Sequence, residues 1–403
     1  MNSQSSPSSV FVQQLHLHNL LSFSELSMPI VLGPLNILIG PNGCGKSNVL
    51  EALQLLAGSA TKFDDTIRIG GGMHAWIHRR VNESTHVRRA TIEAIVRSEQ
   101  QGRPPLRHRL TFTPVDTGFD VEETIEDSEI TRDNASAPYF YFRAEKGRPT
   151  VNTREGNRRT LRVEEIDRSR SIVAQKNDSE FYPELAYLAQ QYRGFRFFRD
   201  WTFGRANASR VAQSVSHDAR ELSADASNLG LVLNRLRNNP EGKRRMRAEL
   251  QNVLATATDI NIDIAFGQFQ LALEENERVI PAARLSDGTL RYLSLLCMLL
   301  DPAPPKLLVI EEPELGLHPD AIQSVARLLK AASAHTQIVL TTHSTLLVDA
   351  FSDAPESILV LDSASGETAV TRCENDNLKQ WLAAFGGSLS SLWMSGKIGG
   401  TRW

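Results

Sequence analysis

The run Gly40-Pro41-Asn42-Gly43-Cys44-Gly45-Lys46-Ser47 stands between a short, mostly apolar stretch, Leu35 to Ile39, and a stretch with helical spacing, Asn48 to Ala57. No other feature constrains the fold as tightly. Glycines let backbone N–H groups turn inward around phosphate oxygens, and the following helix adds the positive end of its dipole. In such a loop Lys46 reaches the β- and γ-phosphates and Ser47 ligates Mg²⁺. ATP and Mg²⁺ are the expected cofactors. The loop also dictates architecture, because it requires a buried strand feeding a helix. The same alternation recurs near the other end of the chain, so the expectation is an α/β fold with a mostly parallel sheet.

Three further motifs occur in the order that such a site needs. Leu307-Leu308-Val309-Ile310-Glu311-Glu312-Pro313 describes a central strand whose end presents two carboxylates. Glu311 is placed to hold Mg²⁺ through water, and Glu312 to polarise the attacking water. Leu285-Ser286-Asp287-Gly288-Thr289 begins 22 residues before Leu307 and opens an apolar helix. Alone it is a turn and helix cap; in this order it reads as the serine turn that completes a nucleotide site. Thr341-Thr342-His343-Ser344 closes an apolar strand about 30 residues after Glu312, where the next strand of a doubly wound sheet delivers it. His343 is placed to sense the γ-phosphate. The catalytic set is Lys46, Glu312 and His343, and the metal set is Ser47 and Glu311.

The chain has 403 residues and a formal net charge of −3, so no basic nucleic-acid module shows in the totals. Cys44, Cys297 and Cys373 are scattered and odd in number, which argues against a disulfide scaffold or zinc site and fits a reducing cytoplasm. The Ser-rich start, Met1 to Ser9, lacks the build of a signal peptide, and no apolar run reaches the roughly 20 residues of a membrane span. A cytoplasmic protein without membrane contact is expected.

Residues 10–100 and 280–370 read as a discontinuous ATPase core, 101–279 as an inserted arm and helical region, and 371–403 as a C-terminal tail. Residues 10–18 show strand alternation, placing His16 and His18 on one face, read as solvated. Residues 90–125 read as two or three strands, with a turn at Gly102-Arg103-Pro104-Pro105. Residues 126–180 are polar and read as a mobile arm or loop-rich insertion, and 181–258 as mainly helical. Glu122, Glu123, Glu126 and Asp127 read as a solvated loop, not as a two-metal site. No heptad repeat is sustained, which excludes long coiled-coil arms. Arg193, Arg196, Arg199, Arg205 and Arg210, interleaved with Phe195, Phe197, Phe198 and Trp201, fit either nucleic-acid binding or amphipathic packing with solvated arginines.

Together the four motifs resemble the ABC-type ATPase heads of the RecF and SMC group. They resemble more nearly a family of stand-alone bacterial AAA/ABC-type ATPases, whose relatives include ATPase subunits of anti-phage defence systems and the OLD nuclease group. The resemblance spans nearly the whole chain, including Asn19 to Phe23, Ser47-Asn48, Asn228-Leu229, Leu285 to Arg291, Glu311 to Pro319, Thr341 to Ser344 and the tail from Leu392-Trp393 to Gly399-Gly400. It implies nucleotide contacts by Asn42, Gly43, Gly45, Lys46, Ser47 and Asn48. It also implies that Ser286 and Gly288 contact the γ-phosphate held by Lys46 of a second subunit, with Glu314 to His318 linking the two sites. Asp287 stands where many ABC proteins have glycine. The implied function is an ATP-driven switch, a homodimer or higher homo-oligomer controlling an effector protein such as a nuclease in anti-phage defence. A RecF-like DNA-binding repair ATPase and an ATPase scaffold for assembly are the alternatives.

Overall fold

The computed structural model describes residues 9–78, 89–100, 102–116, 118–131, 135–145, 148–364, 366–374, 378, 381–382 and 386–399. The first eight residues and Gly400, on which parts of the terminal readings fell, lie outside the described residues. A six-stranded sheet forms the centre. Its order is Arg196–Phe198, Leu307–Glu311, Gln337–Thr341, Leu35–Ile39, Ile358–Ala364 and Glu367–Arg372. The first five strands are mutually parallel and only the last pair is antiparallel. Leu35–Ile39 and Gln337–Thr341 are buried along their whole length. That is why they read as mostly apolar runs, with the buried Asn36 and Gln337 hydrogen-bonded: a parallel sheet is covered on both faces.

The sheet divides the interior into two cores. Ile37, Ile39, Leu308, Ile310, Ile338 and Leu340 face one of them, which also holds residues from the helices Leu229–Asn238, Asp287–Leu299 and Pro319–Ala332. Leu38, Leu307, Val309 and Val339 face the other, shared with the helices Lys46–Gly58 and Pro183–Arg193. Successive strand residues point to opposite faces, so each apolar run supplies both cores. At the base of the sheet the buried Gln337 side chain accepts from Val12 N at 2.8 Å and donates to Val12 O at 2.7 Å, tying this sheet to the strand Val12–His18.

That strand belongs to an eight-stranded sheet whose every pairing is antiparallel. It runs from Ile30–Val31 through Val12–His18, Ala90–Val96, Leu106–Val115, Gly118–Asp127, Phe140–Glu145 and Arg148–Asn152 to Arg158–Thr160. A smaller antiparallel sheet joins Gln213–Ser214, Ala257–Ala265, Gln268–Glu275 and Arg278–Pro281. The expectation of a mostly parallel sheet is therefore corrected. The fold is α/β with a parallel centre, but most strands lie in antiparallel sheets.

Three other readings change. The stretch 126–180, read as a mobile arm or loop, contributes three paired strands. The acids read as solvated lie on the strand Gly118–Asp127, where Glu123, Glu126 and Asp127 are buried. Each has a neutralising or donating partner, which is what makes their burial tolerable: Glu126 pairs with Arg107 and Arg143, and Tyr141 OH donates to Asp127 Oδ1 at 2.7 Å. The stretch 181–258 holds three substantial helices, but also the edge strand Arg196–Phe198 of the central sheet. No helix among the described residues is long and apolar enough to cross a membrane.

Candidate functional site

The strand Leu35–Ile39 ends in the phosphate loop, and Lys46 begins the helix that follows. Asn42 and Gly43 form the exposed tip, while Cys44, Gly45 and Lys46 are buried. Gly45 has φ +102°, and a Cβ there would lie 2.3 Å from Thr368 Oγ1 and 2.7 Å from Ser22 Oγ. Both the conformation and the space demand glycine. The Lys46 ammonium donates to the Gly40 and Pro41 carbonyls, each at 2.8 Å, and lies 3.8 Å from Cys44 Sγ. Burial pushes its pKa down, with Cys44 and Glu312 opposing.

The loop is braced by Ser22 and Asn48, from segments that carry the resemblance, and by Thr368, which no motif revealed. Thr368 Oγ1 donates to Cys44 O at 2.9 Å and meets Ser22 Oγ at 2.6 Å. Asn48 Nδ2 donates to the same Ser22 Oγ at 2.6 Å. Asn48 thus serves the loop's inner wall through Ser22. Ser22 lies in the segment Asn19 to Phe23, where Asn19 and Leu21 both adopt positive φ. Thr368 is on the terminal antiparallel strand of the central sheet, and no local pattern ties it to a loop more than 300 residues earlier.

The acidic strand end arrives where the sequence places it. Ser47 Oγ donates to Glu311 Oε1 at 2.8 Å. Glu312 leaves the strand with φ +46°, and its N–H donates to Thr341 O at 3.1 Å. This strained turn aims Glu312 away from the sheet, with Oε1 3.8 Å from His343 Nε2. Burial first, and then the Lys46 charge, hold the His343 imidazole below its ordinary value against the pull of Glu312, which favours the neutral ring. Glu314 Oε1 accepts from Thr342 Oγ1 at 2.6 Å and from His343 N at 3.2 Å, locking the two strand ends together.

The serine turn is built separately. Ser286 caps the helix Asp287–Leu299, its Oγ accepting from Thr289 N at 3.0 Å. A Cβ on Gly288 would lie 2.5 Å from Gly316 O, so only glycine lets the turn approach the loop after Glu312 this closely. Among the described residues no hydrogen bond joins Ser286 or Gly288 to the phosphate loop of the same chain.

The arginine cluster divides: Arg210 is buried and Arg199 half-buried, whereas Arg193 and Arg205 are exposed. Arg193 donates to Ala60 O at 3.2 Å, Arg196 pairs with Glu221, and Arg199 donates to Glu311 Oε2 at 3.1 Å. Arg210 is buried, pairs with Asp287 and donates to Leu285 O at 2.6 Å. Trp201 packs edge-on to Phe198 and Phe203 with the Arg291 guanidinium over its ring. Arg291, also buried, donates to Glu312 O at 3.1 Å and Trp201 O at 2.9 Å. Among the described residues no group of three or more His, Cys, Asp or Glu side chains is arranged to hold a metal.

Several known proteins share parts of this construction. A 64-residue segment is 41% identical to ABC transporter A family member 4 of Arabidopsis thaliana, covering 16% of this chain. The chain spans only 7% of that transporter's length. The structure of an SmcHead bound to the C-winged helix domain of ScpA superposes with a TM-score of 0.54 at 14% identity, covering 90% of this chain and 97% of that one. A Pyrococcus furiosus Smc head domain with an extended coiled coil, bound to the C-terminal domain of ScpA, gives 0.52 at 12% identity over 93% and 99% of the two chains. At these identities the likeness is one of fold, the SMC-head type of P-loop α/β structure. The family described as "AAA domain, putative AbiEii toxin, Type IV TA system" matches residues 35–349, the span that carries all four motifs, and the chain belongs to this family of P-loop ATPases.

Proposed function

We propose that this chain hydrolyses ATP as an ABC-type head and acts as a dimeric switch on a partner protein. The carrying observation is the division of the site. Lys46, Ser47, Glu311, Glu312 and His343 converge within one chain, while Ser286 and Gly288 are fixed on a separate, arginine-anchored turn with no bond to that chain's phosphate loop. A second copy supplying Ser286 in trans completes the site.

The residues fit the expected cofactors. The inward-facing loop with the Lys46 ammonium suits a polyphosphate. Ser47 Oγ and Glu311 Oε1, 2.8 Å apart, are the hard oxygen donors that Mg²⁺ takes. When bound, the metal offsets charge on the β- and γ-phosphates. Glu312 orients and deprotonates the attacking water, Lys46 holds the γ-phosphate, and neutral His343 reports that phosphate's presence to the Glu314-linked strand ends. A protein partner is supported by the Smc heads of like fold, which were solved bound to ScpA domains. An effector in phage defence is the reading of that partner. Localisation in the cytoplasm belongs to the same proposal.

Complementation tests the dimer. Ser286→Arg and Lys46→Ala should each abolish hydrolysis alone, and an equimolar mixture should recover a substantial fraction through one competent composite site per mixed dimer. Absence of recovery, with mixed dimers shown to form, counts against the trans arrangement.

A further inference from the structure

Arg199 lies just beyond the edge strand Arg196–Phe198, which pairs in parallel with the acidic strand so that Phe198 stands opposite Ile310. One residue further, the same register sets Arg199 beside Glu311. Its Nε donates to Glu311 Oε2 at 3.1 Å, Nη1 donates to Gln54 Oε1 at 3.3 Å, and Nη2 lies 3.5 Å from Glu51 Oε1. Ser47, Glu51 and Gln54 are spaced by four and three residues on the helix Lys46–Gly58, so they share one stripe. The Glu311 carboxylate is thus held through both oxygens, by Ser47 on one side and Arg199 on the other.

The geometry assigns Arg199 as the positioning residue for the metal-binding carboxylate, resting on the ATPase reading above. A glutamate side chain is one methylene longer than an aspartate's, so Glu311 has one more rotatable bond to restrain. The planar guanidinium fork restrains it by spanning the acidic strand and the phosphate-loop helix. Its positive charge opposes a nearby Mg²⁺, but Glu51 offsets that charge, so the orienting effect dominates. Arg199 acts through Glu311, to which its Nε donates.

The test reads Mg²⁺-dependent binding of a fluorescent ATP analogue in the hydrolysis-deficient Glu312→Gln protein. Adding Arg199→Ala should raise the Mg²⁺ concentration for half-saturation about tenfold, the scale of lost outer-shell support, and leave binding in excess EDTA unchanged. Arg199→Gln, which keeps an amide donor toward Glu311, should fall between and serves if the alanine variant does not fold. Glu311→Asp should also weaken the Mg²⁺ response, and Arg199→Ala/Glu311→Asp should be no weaker than Glu311→Asp alone, because the shorter acid no longer uses the clamp. An unchanged or lowered Mg²⁺ requirement in Arg199→Ala, or losses that multiply in the double variant, overturns the assignment and leaves the ATPase reading standing. Absence of any Mg²⁺ response in the Glu312→Gln protein itself overturns both.

Discussion

The central parallel sheet and the eight-stranded antiparallel sheet treat buried charge in opposite ways. In the parallel sheet the interiors of Leu307–Glu311 and Gln337–Thr341 carry no charge, and the carboxylates Glu311 and Glu312 come at a strand end, where they face the phosphate loop. In the antiparallel sheet charge is built into the strands. His108 is fully buried on Leu106–Val115, with Nε2 2.8 Å from Glu123 Oε1 and Nδ1 3.0 Å from Tyr192 OH. Glu123 also accepts from Ser171 Oγ at 2.9 Å and Ile172 N at 2.7 Å. Glu312, just beyond the first sheet, has its carboxylate 3.8 Å from His343 and is open to chemistry, whereas the buried acids of the second sheet are consumed by structure. The same residue type has opposite meaning according to whether its oxygens have partners.

The largest expected effect breaks the first half of this comparison. Glu312→Gln should bind ATP normally and accumulate a nucleotide-bound dimer while turnover falls by about 10³-fold, the range for loss of a general base. Steady-state phosphate release checks it, and turnover within tenfold of wild type shows that Glu312 does not orient the water. Glu123→Leu addresses the other sheet. It strands His108, Ser171 and the Ile172 amide, and should cost about 3 kcal/mol of stability in urea titration. By contrast Glu122→Gln, one residue earlier and in an exposed pair with Arg89, should cost less than about 0.5 kcal/mol. Equal losses at Glu122 and Glu123 would erase the distinction between consumed and solvated acids.

The contrast also explains what was legible in the sequence. Strands such as Leu307–Glu311 and Gln337–Thr341 were readable because burial on both faces leaves an uninterrupted apolar run, and the chemistry sits at its end. The stretch 126–180 was misread because its buried positions include Glu126, Asp127 and Asn152, whose partners lie on other strands. A buried polar residue and a solvated one look alike until pairing is known. Arg199 and Thr368 were missed for a related reason. Each acts through register or sheet order, properties of the assembled sheet that no local window contains.

Thr368 gives a smaller, sharper test. Thr368→Val keeps the shape but removes the bonds to Ser22 Oγ and Cys44 O. One such network is worth about 1 kcal/mol, so nucleotide affinity should fall about fivefold by titration calorimetry with little change in melting temperature. Unaltered affinity would mean that the loop holds its shape without this brace.

The smallest effect is expected at Glu314, which joins the two halves of the comparison: an acid beside the chemistry, yet largely consumed by structure. Its Oε1 accepts two hydrogen bonds, while its buried Oε2 has no partner among the described residues. Burial holds its carboxyl above the ordinary carboxylate value of 4.5, the nearby Glu312 charge adds to this, and the donated bonds oppose it. A raised folded-state pKa means that the folded protein binds this proton more tightly than the unfolded chain. The contribution is then fully present below about pH 4.5 and is lost as pH rises through the folded value. Above the folded value the ionised Glu314 is a net liability that an amide avoids while still accepting from Thr342 and His343. Glu314→Gln should raise the melting temperature at pH 7 by about 2 °C, and the gain should shrink steadily toward pH 5. A gain that is constant from pH 5 to pH 8 would trace to packing instead of ionisation. A loss at pH 7 would show that the charge on Glu314 is needed to hold the His343 strand end.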